Sequence, residues 1–201
     1  MHMSQALNKK METPMPQLQG IQAIREMLRI ASIKELTHHG KLNQIKIAEG
    51  SAQPAPIFAP RMALILMVSG EFRITIKVFY SHQYGLELMS QRRRVKIEEV
   101  QDAWIPDFMK ELMNLTAGAT KRSLGSVDVK MGLSLPLIMR GIDDIYEIAH
   151  ADLQDLDLWT LETNLGTLVY KTSIEIYDRP FVDAIRWSAP VETNEDDMEF
   201  L

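Results

Sequence analysis

The chain has 201 residues, 46% of them hydrophobic and 24% charged, with no cysteine and a net charge of −5. That is enough for one domain with a sizeable core, and the missing cysteine excludes disulfides, thiolate metal sites and a cysteine nucleophile. Five acids, Glu192, Glu195, Asp196, Asp197 and Glu199, lie in the stretch from Ser188 to Leu201, which has no lysine or arginine; the 27 acidic residues less these five equal the 22 basic ones, so the body is neutral. Neither part offers the basic field that nucleic-acid binding needs.

Residues 1–18, with Pro14 and Pro16 and little periodicity, are expected to form a mobile arm. The first ten residues contain no apolar run of signal-peptide length. Ile21, Ile24, Leu28 and Ala31 then recur at helical spacing, and His38-His39-Gly40 supplies a stop. Leu42, Ile45 and Ile47 suggest a short strand, and the run from Ser51 to Pro60, broken by Pro54, Pro56 and Pro60, a connector. Met62 to Val68 and Arg73 to Tyr80 flank Ser69-Gly70-Glu71, a hairpin signal. Alternation of Phe72, Ile74, Ile76, Val78 and Tyr80 predicts one buried face on the second arm. The longest apolar run, Met62 to Val68, is far short of the ~20 residues that span a bilayer, so a soluble, cytoplasmic protein with no membrane partner is expected.

Tyr84 to Ser90 reads as a short helix. The basic run Arg92-Arg93-Arg94 with Lys96 reads as a solvated connector rather than a phosphate site. A long helix is predicted from about Ile97 to Leu124, kinked or restarted at Pro106. At about 100° per residue, Glu111, Asn114, Gly118 and Lys121 share a face, with Asp107 one turn earlier and an apolar stripe of Phe108, Leu112, Leu115 and Ala119 beside them. A mid-helix glycine costs about 1 kcal/mol relative to alanine. Gly118 therefore reads either as a point where another helix crosses or as clearance for a partner.

Gly132 to Met139 is strand-like, and Pro136 within it argues for an edge or a bulge. Asp143, Asp144, Glu147, Asp152, Asp155 and Asp157 lack the pattern of a calcium loop and read as an exposed connector. A second hairpin, Leu158 to Thr163 and Thr167 to Tyr177, turns at Asn164-Leu165-Gly166. His38 and His39 are adjacent and the other three histidines are scattered, so no metal site is expected. The order helix, strand, hairpin occurs twice, which suggests internal duplication. The reading is an α+β layer fold: a single domain over 19–187, with two long helices on a mixed, largely antiparallel sheet, and an acidic disordered tail over 188–201.

Glu111-x-x-Asn114-x-x-x-Gly118, followed by Ser134-x-Pro136 in a strand ending at Gly141, resembles the CheX-like chemotaxis phosphatases of the CheC/CheX superfamily. Over about residues 20–178 the order of elements is similar too. Leu135 and Leu137 depart from the proline and threonine common around that core proline, and Glu26-x-x-Arg29 in the first helix has arginine where a second motif would need asparagine. The resemblance implies a CheC-like layer fold with one active face, and hydrolysis of the aspartyl phosphate on a phosphorylated response-regulator receiver domain of the CheY kind. It makes Glu111 and Asn114 catalytic, with Asp107, Gly118 and Lys121 in docking. Any Mg2+ would belong to the receiver, and this chain would need no cofactor of its own. Homodimers through sheet edges occur in the family and are an expectation here. The alternative is a protein-interaction module of the same fold without catalysis. A small-molecule enzyme finds no nucleophile–base pair to support it.

Overall fold

The structure, a computed structural model, describes residues 17–49, 61–140 and 154–190. Its frame is a seven-stranded sheet of β2 (Lys46–Glu49), β3 (Arg61–Val68), β4 (Phe72–Tyr80), β5 (Gly132–Leu133), β6 (Leu137–Met139), β7 (Gln154–Thr163) and β8 (Gly166–Ile176). The order across it is β2-β7-β8-β4-β3, with β5 and β6 both pairing to β3 at the far edge. Every pairing among these strands is antiparallel. The two predicted hairpins are β3–β4 and β7–β8, and they meet where β4 pairs with β8.

Two long helices, α1 (Gly20–Gly40) and α3 (Trp104–Gly125), pack side by side against the sheet. They bury Ile24, Leu28, Met109 and Leu112 on Ile74, Ile76, Val78, Trp159 and Tyr170. Burial of this kind contributes about 25 cal/mol per Å² of apolar surface, which fixes the helices on that face. A shorter helix, α2 (His82–Arg93), leads into α3. Ser81 caps it, its hydroxyl accepting from the Tyr84 N–H at 3.0 Å. Near the end of the described chain, α4 (Arg179–Ala184) precedes β9 (Arg186–Trp187), which pairs with β1 (Leu18–Gln19) just before α1.

Several expectations change. Leu18 belongs to a strand, so the arm expected over 1–18 ends sooner; residues 1–16, the proline connector over 51–60, Gly141 and the tail beyond Pro190 lie outside the described residues. The long helix starts at Trp104, not Ile97, where a single 3-10 turn stands instead. Of the two outcomes expected at Pro106, the structure has the restart and not the kink: α3 begins two residues earlier, so the proline falls in the first helical turn, where its missing N–H would have had no partner. On β4 the predicted apolar face is buried, but Thr75, Lys77 and Phe79 of the opposite face are buried too; as an interior strand, β4 is shaded by neighbours on both sides.

The acids Asp155 and Asp157 are not an exposed connector. They stand on β7 facing α1, where Arg25 Nη2 donates to Asp155 at 2.7 Å and Arg29 Nη2 to Asp157 at 3.0 Å. Arg29 also reaches Glu49 at 2.9 Å and lies 5.9 Å over the Trp159 ring. Burial works to lower the Arg29 pKa, but Asp157 and Glu49 outweigh it and hold the guanidinium more firmly charged. Arg25 and Arg29 therefore fasten α1 to the sheet, and Arg29, where a second motif would need asparagine, is one of the two.

Candidate functional site

The site is built on α3. Its buried positions are Ile105, Phe108, Met109, Leu112, Met113, Thr116, Ala117, Thr120 and Leu124. The predicted stripe was right at Phe108 and Leu112 and displaced at Leu115 and Ala119, which are only half-buried. Two threonines take core positions instead, and Thr120 meets its polar requirement by donating to the Thr116 carbonyl at 2.9 Å. The start of the helix is gripped by α2: the Arg93 guanidinium lies 4.0 Å over Trp104 and that of Arg92 5.1 Å over Phe108. Arg92 also donates to the His39 carbonyl at 2.9 Å. Two of the three consecutive arginines thus pack at a helix end and are not part of a solvated connector.

Opposite the core stripe, Asp107, Glu111, Asn114 and Lys121 are exposed and Gly118 is half-buried. The row runs about 21 Å, fourteen residues at ~1.5 Å each. Asp107 accepts from Lys110 at 3.5 Å, one turn from the helix start, where an acid complements the helix dipole. Among the described residues the Glu111 carboxylate, the Asn114 amide and the Lys121 ammonium have no hydrogen-bond or ion-pair partner. An acid, an amide with both donor and acceptor, and a cation are therefore presented outward together.

Gly118 is not a crossing point of this fold. Among the described side chains only the Arg122 guanidinium lies near, its Nη1 3.7 Å from where a β-carbon would stand. Arg122 is 75% exposed, and its Nη2 is 3.9 Å from Oε1 of the nearly buried Glu35, whose other oxygen is 3.2 Å from His39 Nε2. Sequence reading passed over this arginine. The signal was its place one turn beyond Gly118, on the same face of the helix. Between α1 and α3 opens a groove of about 670 Å³, with Ile30, Ile33 and Leu115 as apolar walls and Lys34, His38 and Arg122 at its margin. It too was unread, because Ile30 and Ile33 look like core residues by composition alone.

Beside α3, the Ser134-x-Pro136 segment divides β5 from β6. Opposite Ile65 and Leu66 of β3 the edge has three residues, Ser134, Leu135 and Pro136. This is a bulge with a proline on an edge, combining both predicted alternatives. Ser134 repairs the ladder twice: its N–H donates to the Leu66 carbonyl at 2.9 Å, and its hydroxyl accepts from the Leu66 N–H at 3.0 Å. Leu135 is left 82% exposed and Leu137 54%.

Among the described residues no group of three His, Asp or Glu side chains converges on a metal-sized site. The His38 and His39 rings meet edge to face at 4.8 Å.

Solved structures share this architecture. A CheC-like superfamily protein from Shewanella sp. PV-4 superposes with a TM-score of 0.63 at 16% identity, covering 76% of this chain and 97% of its own. The chemotaxis protein CheX from Vibrio vulnificus gives 0.63 at 15%, with coverage of 76% and 99%. The fold is that of the CheC-like superfamily. A CheX–CheY–BeF3–Mg2+ complex from Borrelia burgdorferi matches with a TM-score of 0.60 at 12% identity, covering 76% and 97%. No family model and no curated protein matches the sequence. On this CheC-like frame, Glu111, Asn114 and Gly118 occupy the outward face of the second long helix, and the Ser134 bulge lies at the sheet edge.

Proposed function

We propose that this chain is a CheX-like phosphatase, hydrolysing the aspartyl phosphate of a response-regulator receiver domain in chemotaxis or two-component signalling. The observation that carries the reading is the Asn114 amide and the Glu111 carboxylate standing exposed and unengaged on one helix face. Support also comes from the fold shared with a CheX that was solved together with CheY.

An acyl phosphate is already reactive, so the protein has little covalent chemistry to do; a water must be held in line with phosphorus. The Asn114 amide can accept a hydrogen bond from that water through its carbonyl or donate one to it through its NH2, and so orient it. Glu111, an acceptor when ionised, would pair with a cation of the receiver, where the active-site lysine is the expected group. Asp107 and Lys121 extend the docking row, and Gly118 leaves clearance. The Mg2+ that polarises the phosphoryl group would be held by the receiver, not by this chain. Among the described residues no helix is long and apolar enough to cross a membrane, in keeping with a cytoplasmic partner.

The test is Asn114→Ala, assayed for dephosphorylation of a panel of phosphorylated receiver domains. We expect loss of about 100-fold or more in rate, with stability within about 0.5 kcal/mol of the parent because the side chain is exposed. Undiminished hydrolysis in this variant removes the mechanism. A second reading, docking without hydrolysis, is favoured by the exposed Leu135 and Leu137 at the sheet edge. It predicts that the parent protein binds a receiver yet leaves its phosphate lifetime unchanged.

A further inference from the structure

The groove between α1 and α3 is apolar within and cationic at its margin. Ile30, Ile33 and Leu115 wall it, Lys34 and Arg122 stand at its opening, and the acid beside it, Glu35, is nearly buried with His39 against it. Its volume of about 670 Å³ is in the range that takes a few large side chains or a drug-sized molecule. An occupant that fits must bring apolar groups and negative charge together. The chain has such a segment: Glu192, Glu195, Asp196, Asp197 and Glu199 are interleaved at the end with Met198, Phe200 and Leu201.

We propose that the groove is the docking site of this chain's own acidic segment 191–201, with Met198, Phe200 and Leu201 against its apolar walls and the carboxylates beside Lys34 and Arg122. The reach suffices. The described chain ends at Pro190, just after β9, which pairs with β1 at the N-terminal end of α1. Ile30 lies ten residues along that helix from Gly20 and His39 nineteen, about 15 and 28 Å; eleven extended residues span about 36 Å. Charge selects this segment over residues 1–16, where Lys9 and Lys10 outnumber Glu12 and would face Lys34 and Arg122 as like charges.

The geometry gives this docking a consequence, which alone rests on the functional reading above. Arg122 Nη1 is 3.7 Å from the missing β-carbon of Gly118. A segment seated on Arg122 would therefore crowd the docking row and compete with a receiver for it.

The docking itself is tested without any receiver. In the full chain, Phe200 is replaced by the photo-crosslinking residue p-benzoylphenylalanine, which keeps an apolar aromatic side chain at that position. After irradiation, crosslinked peptides are mapped by mass spectrometry. The expected result is an intramolecular crosslink from position 200 to peptides containing Ile30, Ile33 or Leu115. It should weaken at high salt and fall about fivefold in Lys34→Glu/Arg122→Glu. Both substituted side chains are exposed, and circular dichroism checks that this variant stays folded. Crosslinks to another part of the surface, crosslinks found only between two copies, no crosslink at all, or a groove crosslink indifferent to both salt and charge reversal each overturn the proposal.

Discussion

Two helical glycines offer a matched experiment on what the row along α3 is for. At Gly118 a β-carbon would find the Arg122 Nη1 at 3.7 Å, an ordinary van der Waals distance to the end of a flexible side chain. Nothing in the fold then opposes the intrinsic preference of a helix for alanine, about 1 kcal/mol. Gly118→Ala should therefore gain close to that amount, which for a domain of this size is about 2–4 °C in Tm. At Gly85 in α2 the same substitution would set a β-carbon 2.5 Å from Ile105 Cγ2. Ile105 is buried and β-branched, with little freedom to turn away. Overpacking costs about 1–3 kcal/mol, more than the helix preference returns. Gly85→Ala should therefore be destabilised by up to about 2 kcal/mol, and thermal or chemical unfolding of both variants reads the contrast. If Gly118 exists to admit a partner, the stabilised Gly118→Ala should lose about tenfold or more in kcat/KM toward a phosphorylated receiver at limiting concentration. A less stable Gly118→Ala would mean that a contact within the fold had been overlooked. A more stable variant with undiminished kcat/KM would remove the clearance argument.

Glu111→Ala should lower kcat/KM at limiting receiver while leaving kcat at saturation largely intact, since the role assigned is orientation of the partner; steady-state kinetics over receiver concentration checks it, and unchanged receiver affinity would remove the anchoring role. A pH effect should come from Tyr84, which α2 buries. Burial pushes its hydroxyl up to about 12. The folded state therefore favours the neutral phenol. The stability this confers is present in full below about pH 10, where the unfolded chain also keeps its proton, and is lost as pH climbs from about 10 to 12. The loss amounts to a few kcal/mol at about 1.4 per unit. Unfolding followed across that range should show it, and Tyr84→Phe should remove that share of the loss, leaving the slope due to Tyr170 and Tyr80, whose phenols burial also pushes up.

The helices and hairpins were legible because periodicity and turn chemistry act locally. Ile21 to Ala31 repeat at helical spacing, and Ser69-Gly70-Glu71 sits between two β-rich runs. The exposed row on α3 was legible for the same reason: a carboxylate, an amide and a lysine at three- and four-residue spacing prefer water together. What escaped was decided by neighbours distant in sequence. Thr116 and Thr120 look like surface residues until one supplies the other's hydrogen-bond acceptor. Asp155 and Asp157 look like an acidic loop until Arg25 and Arg29, about 130 positions earlier, are set opposite them. Ile30 and Ile33 lie beside the apolar stripe read on α1, and only the packing of α1 against α3 shows that they wall a groove. The role of Pro106 turned on where the helix begins, a boundary that no residue near Trp104 announces with a side-chain cap.

The split rim strand has a consequence for self-association. Cut by Ser134, Leu135 and Pro136, it presents runs of two and three residues where an unbroken strand would present eight against β3. The opposite rim, β2, has four residues, with Lys46 exposed and Glu49 held by Arg29. Among the described residues a visiting strand finds no long template on either side, so runaway edge-to-edge stacking is discouraged by the backbone itself. At the split rim the outermost groups are side chains, Leu135 and Leu137, and neither side chain takes part in the backbone hydrogen bonds of the ladder beneath.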